Sequence, residues 1–129
     1  MRTILITVAL TTSLAGCTSK GLYAWGGYDE NLYLAYKDPT QAAALRQKLE
    51  AHVQATEKAG QKVAPGLYAE IGTLYLQGGQ RPQAIAWYQR EQKAWPESRT
   101  LMAALIQNLE RLESAGAPAR PVTGQEAPQ

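Results

Sequence analysis

The chain contains no phenylalanine, one cysteine and one histidine. One cysteine excludes an intramolecular disulfide and a cysteine-based zinc cluster. The lone histidine, His52, falls on the apolar stripe of a helical segment, where a satisfied or rim histidine is the expectation rather than a general base. No partnered nucleophile, glycine-rich phosphate loop or metal-ligand spacing is present. The carboxylate pairs Asp29/Glu30 and Glu110/Glu113 read as a helix start and a solvated face. Net charge is only +2, with no Lys/Arg cluster, which argues against nucleic-acid binding. These absences leave no catalytic, cofactor-binding or metal-ligating residues to assign, and the chain is read as a non-enzyme.

What is present suits one small folded domain. The 129 residues are 45% hydrophobic and 19% charged. The aromatics are 3 Trp and 7 Tyr, which can be buried at one end and wet at the other.

The chain opens MRTILITVALTTSLAGC. Arg2 supplies a positive start, Ile4 to Leu14 an apolar run, and Ala15 and Gly16 the small residues that a peptidase needs. The run is short for a membrane span. The ending Leu14-Ala15-Gly16-Cys17 resembles the lipobox of bacterial lipoproteins. That resemblance implies diacylglycerol on the Cys17 thiol, removal of residues 1–16 as a signal peptide, and acylation of the new amino group. A thiolate is the side chain suited to attack the lipid donor. Several buried acyl chains hold a protein on a membrane, at about 0.8 kcal/mol per CH₂. Thr18, where an Asp would favour inner-membrane retention, implies the periplasmic face of the outer membrane.

Residues 17–28 read as a lipidated tether. Tyr23, Trp25 and Tyr28 either fold back on the domain or form a docking strip for lipid headgroups or a partner. Residues 29–115 read as an all-α domain. Asp29 to Asp38 predicts a short helix capped by Asp29, with Leu32, Tyr33 and Tyr36 at helical spacing. Pro39 to Gly60 predicts a long helix capped by Asp38 or Thr40, with Ala42, Leu45, Leu49, His52, Val53 and Thr56 on one stripe. A terminal helix up to Ala115, capped by Glu97 or Ser98, carries Leu101, Met102, Leu105, Ile106, Leu109 and Leu112. The Pro/Gly-rich residues 116–129 are expected to be a disordered tail.

The 34-residue stretch from Pro65 to Ser98 resembles a tetratricopeptide repeat. Tyr68 stands at the early aromatic place, followed by Ile71, Gly72 and Tyr75. Ala84 and Tyr88 match the second helix and Pro96 the closing proline. Glu91 departs from the pattern, which has a small residue there. The expected fold is a short tetratricopeptide-like solenoid of helical hairpins, with Gly72 and Ala84 small at a helix crossing, Tyr68, Tyr75 and Tyr88 around it, and a final covering helix. Tyr68, Glu70, Thr73 and Gln77 are candidate partner contacts, beside Tyr23, Trp25 and Tyr28.

The lipobox, the block Leu22-Tyr23-x-Trp25-Gly26-x-Tyr28 and the single repeat together resemble a family of small proteobacterial lipoproteins, domain of unknown function 4810. The resemblance implies an envelope complex. This chain would be a lipid-anchored adaptor or assembly factor beside another envelope lipoprotein similar to a curli secretion channel subunit. Self-association stays open. The competing expectation is a binding module for envelope glycans or the cell wall.

Overall fold

The structure is a computed structural model that describes residues 21–116. The expected signal peptide, Cys17, the start of the tether and nearly all of the expected tail lie outside the described residues. Five α-helices follow in order: α1 (Tyr28–Lys37), α2 (Ala42–Lys58), α3 (Leu67–Gln77), α4 (Arg81–Ala94) and α5 (Arg99–Ser114). Short 3-10 turns at Pro39–Gln41 and Pro96–Ser98 precede α2 and α5. No strand occurs among the described residues. The main packing is between helices consecutive in sequence.

The helix limits follow local chemistry. Asp38 accepts hydrogen bonds from the Thr40 amide at 3.0 Å and the Thr40 hydroxyl at 2.6 Å. Those bonds hold the Asp38 carboxyl below the usual carboxylate range. They also fix the 3-10 turn, so the expected continuous helix from Pro39 begins instead at Ala42. Gly60 ends α2 at φ 68°, with the Gln61 amide reaching back to the Thr56 carbonyl. Gly79 ends α3 in the same manner, through Gln80 to Tyr75. This is the glycine-terminated motif that satisfies orphan carbonyls.

Two expected caps are corrected. Gly27, not Asp29, precedes the first helix, and the Asn31 amide donates to the Gly27 carbonyl at 2.7 Å. Ser98 makes no capping bond to α5, because its hydroxyl donates to Glu91 at 3.0 Å.

The core has two parts. Leu45, Leu49 and Val53 of α2 meet Leu67, Tyr68, Ile71 and Leu74 of α3, closed by Val63 and Ala64 from the loop between them. Ala84, Ile85 and Tyr88 of α4 meet Met102, Ile106 and Leu109 of α5. Leu101 stays outside this packing, 61% exposed. Tyr75 packs against both parts. Between them α3 and α4 cross closely. A Cβ on Gly72 would lie 2.8 Å from ring carbons of Tyr88 and 3.1 Å from the Ala84 carbonyl. The Tyr88 hydroxyl spans the crossing to Thr73, 3.0 Å away, whose own hydroxyl donates to Ala69.

Glu91 is the notable polar group of the interior. It is 1% exposed, and its Oε1 accepts from the Gly66 amide at 2.9 Å and from Ser98. One carboxylate thus ties the loop entering α3 to the turn entering α5. A small residue at this position could not do so.

Candidate functional site

The aromatic block at the N-terminus is split between inward and outward residues. Tyr23 sets its ring edge-on against Trp95, with centroids 5.5 Å apart. His52 Nε2 donates to the Ala24 carbonyl at 2.8 Å, which fixes the ring nitrogen's role because a carbonyl only accepts. Gly26, at φ 60°, lies directly over the same imidazole. Tyr28 is half-buried against the first core, and that burial raises its hydroxyl pKa, with Glu70 adding to the effect. Tyr23 and Tyr28 are therefore taken up by the domain. Leu22 is 94% exposed, and Trp25, its ring tilted against Tyr28 at 6.2 Å, is 44% exposed.

Tyr68, expected as a contact residue, is corrected to a core residue, 7% exposed. Its hydroxyl donates to Glu57 at 2.6 Å, and Arg90 donates to the same Glu57 oxygen at 2.6 Å. The Arg90 guanidinium also lies over the rings of Tyr68 and Trp87. Burial, then the bond to Glu57, pushes the Tyr68 hydroxyl up to about 12. The Tyr68 bond, with Arg90 assisting, lowers Glu57. This network ties α2, α3 and α4 together. Thr73 is likewise engaged at the helix crossing.

Glu70 and Gln77 are different. They stand two turns apart on α3 and line one groove of about 900 Å³ between α1, α2 and α3. Leu32 and Tyr36 of α1, Ala42, Ala43 and Arg46 of α2, and Leu74 of α3 are among the residues that form its apolar bed and rim. Burial alone raises the Glu70 carboxyl above its ordinary range, and no hydrogen bond to it occurs among the described residues. Arg46 is engaged elsewhere, with Glu50 at 3.4 Å and over the Tyr75 ring at 4.3 Å. The Tyr75 hydroxyl is raised by its bond to Glu50.

No residue of α1 is buried, Leu32, Tyr33 and Tyr36 at their helical spacing included. Six of the seven large hydrophobics exposed among the described residues lie between Leu22 and Tyr36. The groove rim from α1, Leu32 and Tyr36, was visible in the sequence only as helix periodicity. Ala43 and Arg46 gave no signal, because their role depends on how α1 folds back on α2.

No group of His, Cys, Asp and Glu suited to a metal ion occurs among the described residues. No described helix is long and apolar enough to cross a membrane. Chemically, the site is an apolar trough with one half-buried carboxyl, suited to holding a chain segment through side-chain burial and one polar contact.

The fold is thus that of an all-helical domain with an aromatic N-terminal strap. The chain belongs to the family described as a domain of unknown function, DUF4810, whose model matches residues 22–105. The match spans the strap and all of α1 to α4, and ends within α5. No curated protein and no solved structure matches the chain.

Proposed function

We propose that this protein is a lipid-anchored, non-catalytic adaptor of an envelope complex. Cys17 carries the lipid at the periplasmic face of the outer membrane, and the groove between α1, α2 and α3 receives a segment of another envelope lipoprotein or secretion-channel-like protein. The observation that carries the reading is the groove itself. An apolar bed with a single unpartnered carboxyl, Glu70, matches a helix or extended segment that is apolar on one side and offers one donor. Charge complementarity specifies that donor as a Lys or Arg of the partner. The lipobox ending at Cys17 supports the anchor.

The α3–α4 hairpin is, in this reading, a single tetratricopeptide-like repeat. Support comes from the close crossing of Gly72 on Tyr88 and Ala84 within the 34-residue stretch from Pro65 to Ser98. The closing Pro96 starts the turn before α5.

Co-purification after detergent extraction tests the adaptor role. Ala43 is exposed on the groove, so Ala43→Trp fills the trough without entering the core. The wild-type chain should retain one defined envelope protein and the Ala43→Trp variant should lose it. Retention by cell-wall material in the absence of any protein partner would support a glycan-binding module instead.

A further inference from the structure

Three features place the strap on the domain: Tyr23 against Trp95, the Ala24 carbonyl on His52, and Gly26 over the His52 ring. They leave Leu22 almost fully exposed and Trp25 44% exposed, with one face of the Trp25 ring tilted against Tyr28 at a centroid distance of 6.2 Å. Lys62 lies at the same place, its ammonium 3.6 Å from the centre of the Trp95 ring that Tyr23 meets. Leu22 and Trp25 therefore stand exposed where the chain enters the domain, and Lys62 shares the Trp95 ring with Tyr23.

The chain length then decides what can lie opposite. Tyr23 is six residues beyond Cys17. Whatever its conformation, such a segment spans at most about 21 Å. The headgroup layer alone takes up about 6 Å of that distance. A domain pinned at Tyr23 to a chain lipidated at Cys17 cannot stand far from the bilayer. Leu22 is one residue nearer still. Leu and Trp are the residue types that settle at the boundary of headgroups and acyl chains, and Lys suits the phosphates above it.

We propose that Leu22 and Trp25 insert into the interface of the phospholipid bilayer that carries Cys17, forming a second membrane contact that holds the domain down on the surface. The inference rests on the lipidation of Cys17 in the reading above. It assigns the strap to lipid and leaves the groove beyond α1 to the protein partner.

The test uses the full lipidated protein, reconstituted in vesicles of phosphatidylethanolamine and phosphatidylglycerol that contain phospholipids brominated near the top of the acyl chain. Mass spectrometry of the same preparation reads the acylation of Cys17. Bromolipid should quench a large part of the tryptophan fluorescence, and Trp25→Phe should lose most of that quenching, because Trp87 is half-buried and Trp95 buried. Equal quenching in wild type and Trp25→Phe, with Cys17 acylated, overturns the membrane contact and leaves the anchor standing. The same holds if bromolipid quenches neither protein while aqueous iodide quenches Trp25. An unacylated Cys17 overturns the anchor, and the reach argument with it.

Discussion

Gly26 lies so close to His52 that a Cβ on it would stand 2.5 Å from the imidazole Nδ1. The same ring holds the Ala24 carbonyl through Nε2. The one histidine of the chain thus fastens the N-terminal strap to α2.

Gly26→Ala should therefore destabilise the domain on two counts, the overlap with His52 and a φ of 60° that L-residues avoid. A loss of about 1–3 kcal/mol is expected in denaturant unfolding. The steric part should shrink in a His52→Ala background. A double-mutant cycle with no coupling between the two positions would contradict the contact.

Gly72→Ala is the corresponding test of the α3–α4 crossing. Alanine is the better helix former, by about 1 kcal/mol in an exposed helix. Here its methyl would meet the Tyr88 ring at 2.8 Å, so the sign should reverse. Overpacking predicts a loss of about 1–3 kcal/mol. A gain in thermal stability would show that the helices do not cross as described.

Glu91 serves as a buried acceptor for two loops. Glu91→Ala leaves the Gly66 amide and the Ser98 hydroxyl without it, and should cost about 2–4 kcal/mol. Glu91→Gln keeps one carbonyl oxygen for the same donors and should cost clearly less. Equal losses in chemical denaturation would mean that the hydrogen bonds carry none of the effect.

Two carboxylates should give stability opposite dependences on pH. Glu57 is lowered by Tyr68 and Arg90, so its contribution is present above the ordinary glutamate range and lost as pH falls through its folded value. Glu70 is raised by burial, so the penalty of its charge is absent at acid pH and grows as pH rises through its folded value. At neutral pH Glu57→Gln should lower Tm and Glu70→Gln should raise it. The Glu70 difference should vanish at acid pH, where that raised carboxyl is protonated, and the Glu57 difference should shrink as pH falls through its own lowered folded value. Parallel pH profiles for the two variants would contradict this assignment.

Local sequence carried the helices well, because glycines, prolines and apolar spacing act within a few residues. The stripe Leu45, Leu49, Val53 and Thr56 is buried as its period predicts. What escaped were relationships made at a distance. Glu91 read as a departure from a repeat, since its partner Gly66 lies 25 residues away. Tyr68 read both as packing at the helix crossing and as a partner contact, and α2 and α4 supply the Glu57 and Arg90 that decide for the first. The site was half-legible. Glu70 and Gln77 follow from one face of α3, whereas the groove needs α1 folded beside α2, and α1's apolar residues do not announce that they stay exposed.

The most direct test of the adaptor reading is photocrosslinking in cells from position 36, where Tyr36 is 86% exposed on the groove rim. A photoreactive amino acid there should give one discrete heterologous crosslink. The same residue at exposed position 89 on α4 should not give it. The crosslink should disappear in the Ala43→Trp background. The same adduct from both positions, or one unaffected by Ala43→Trp, would contradict the groove as the partner site.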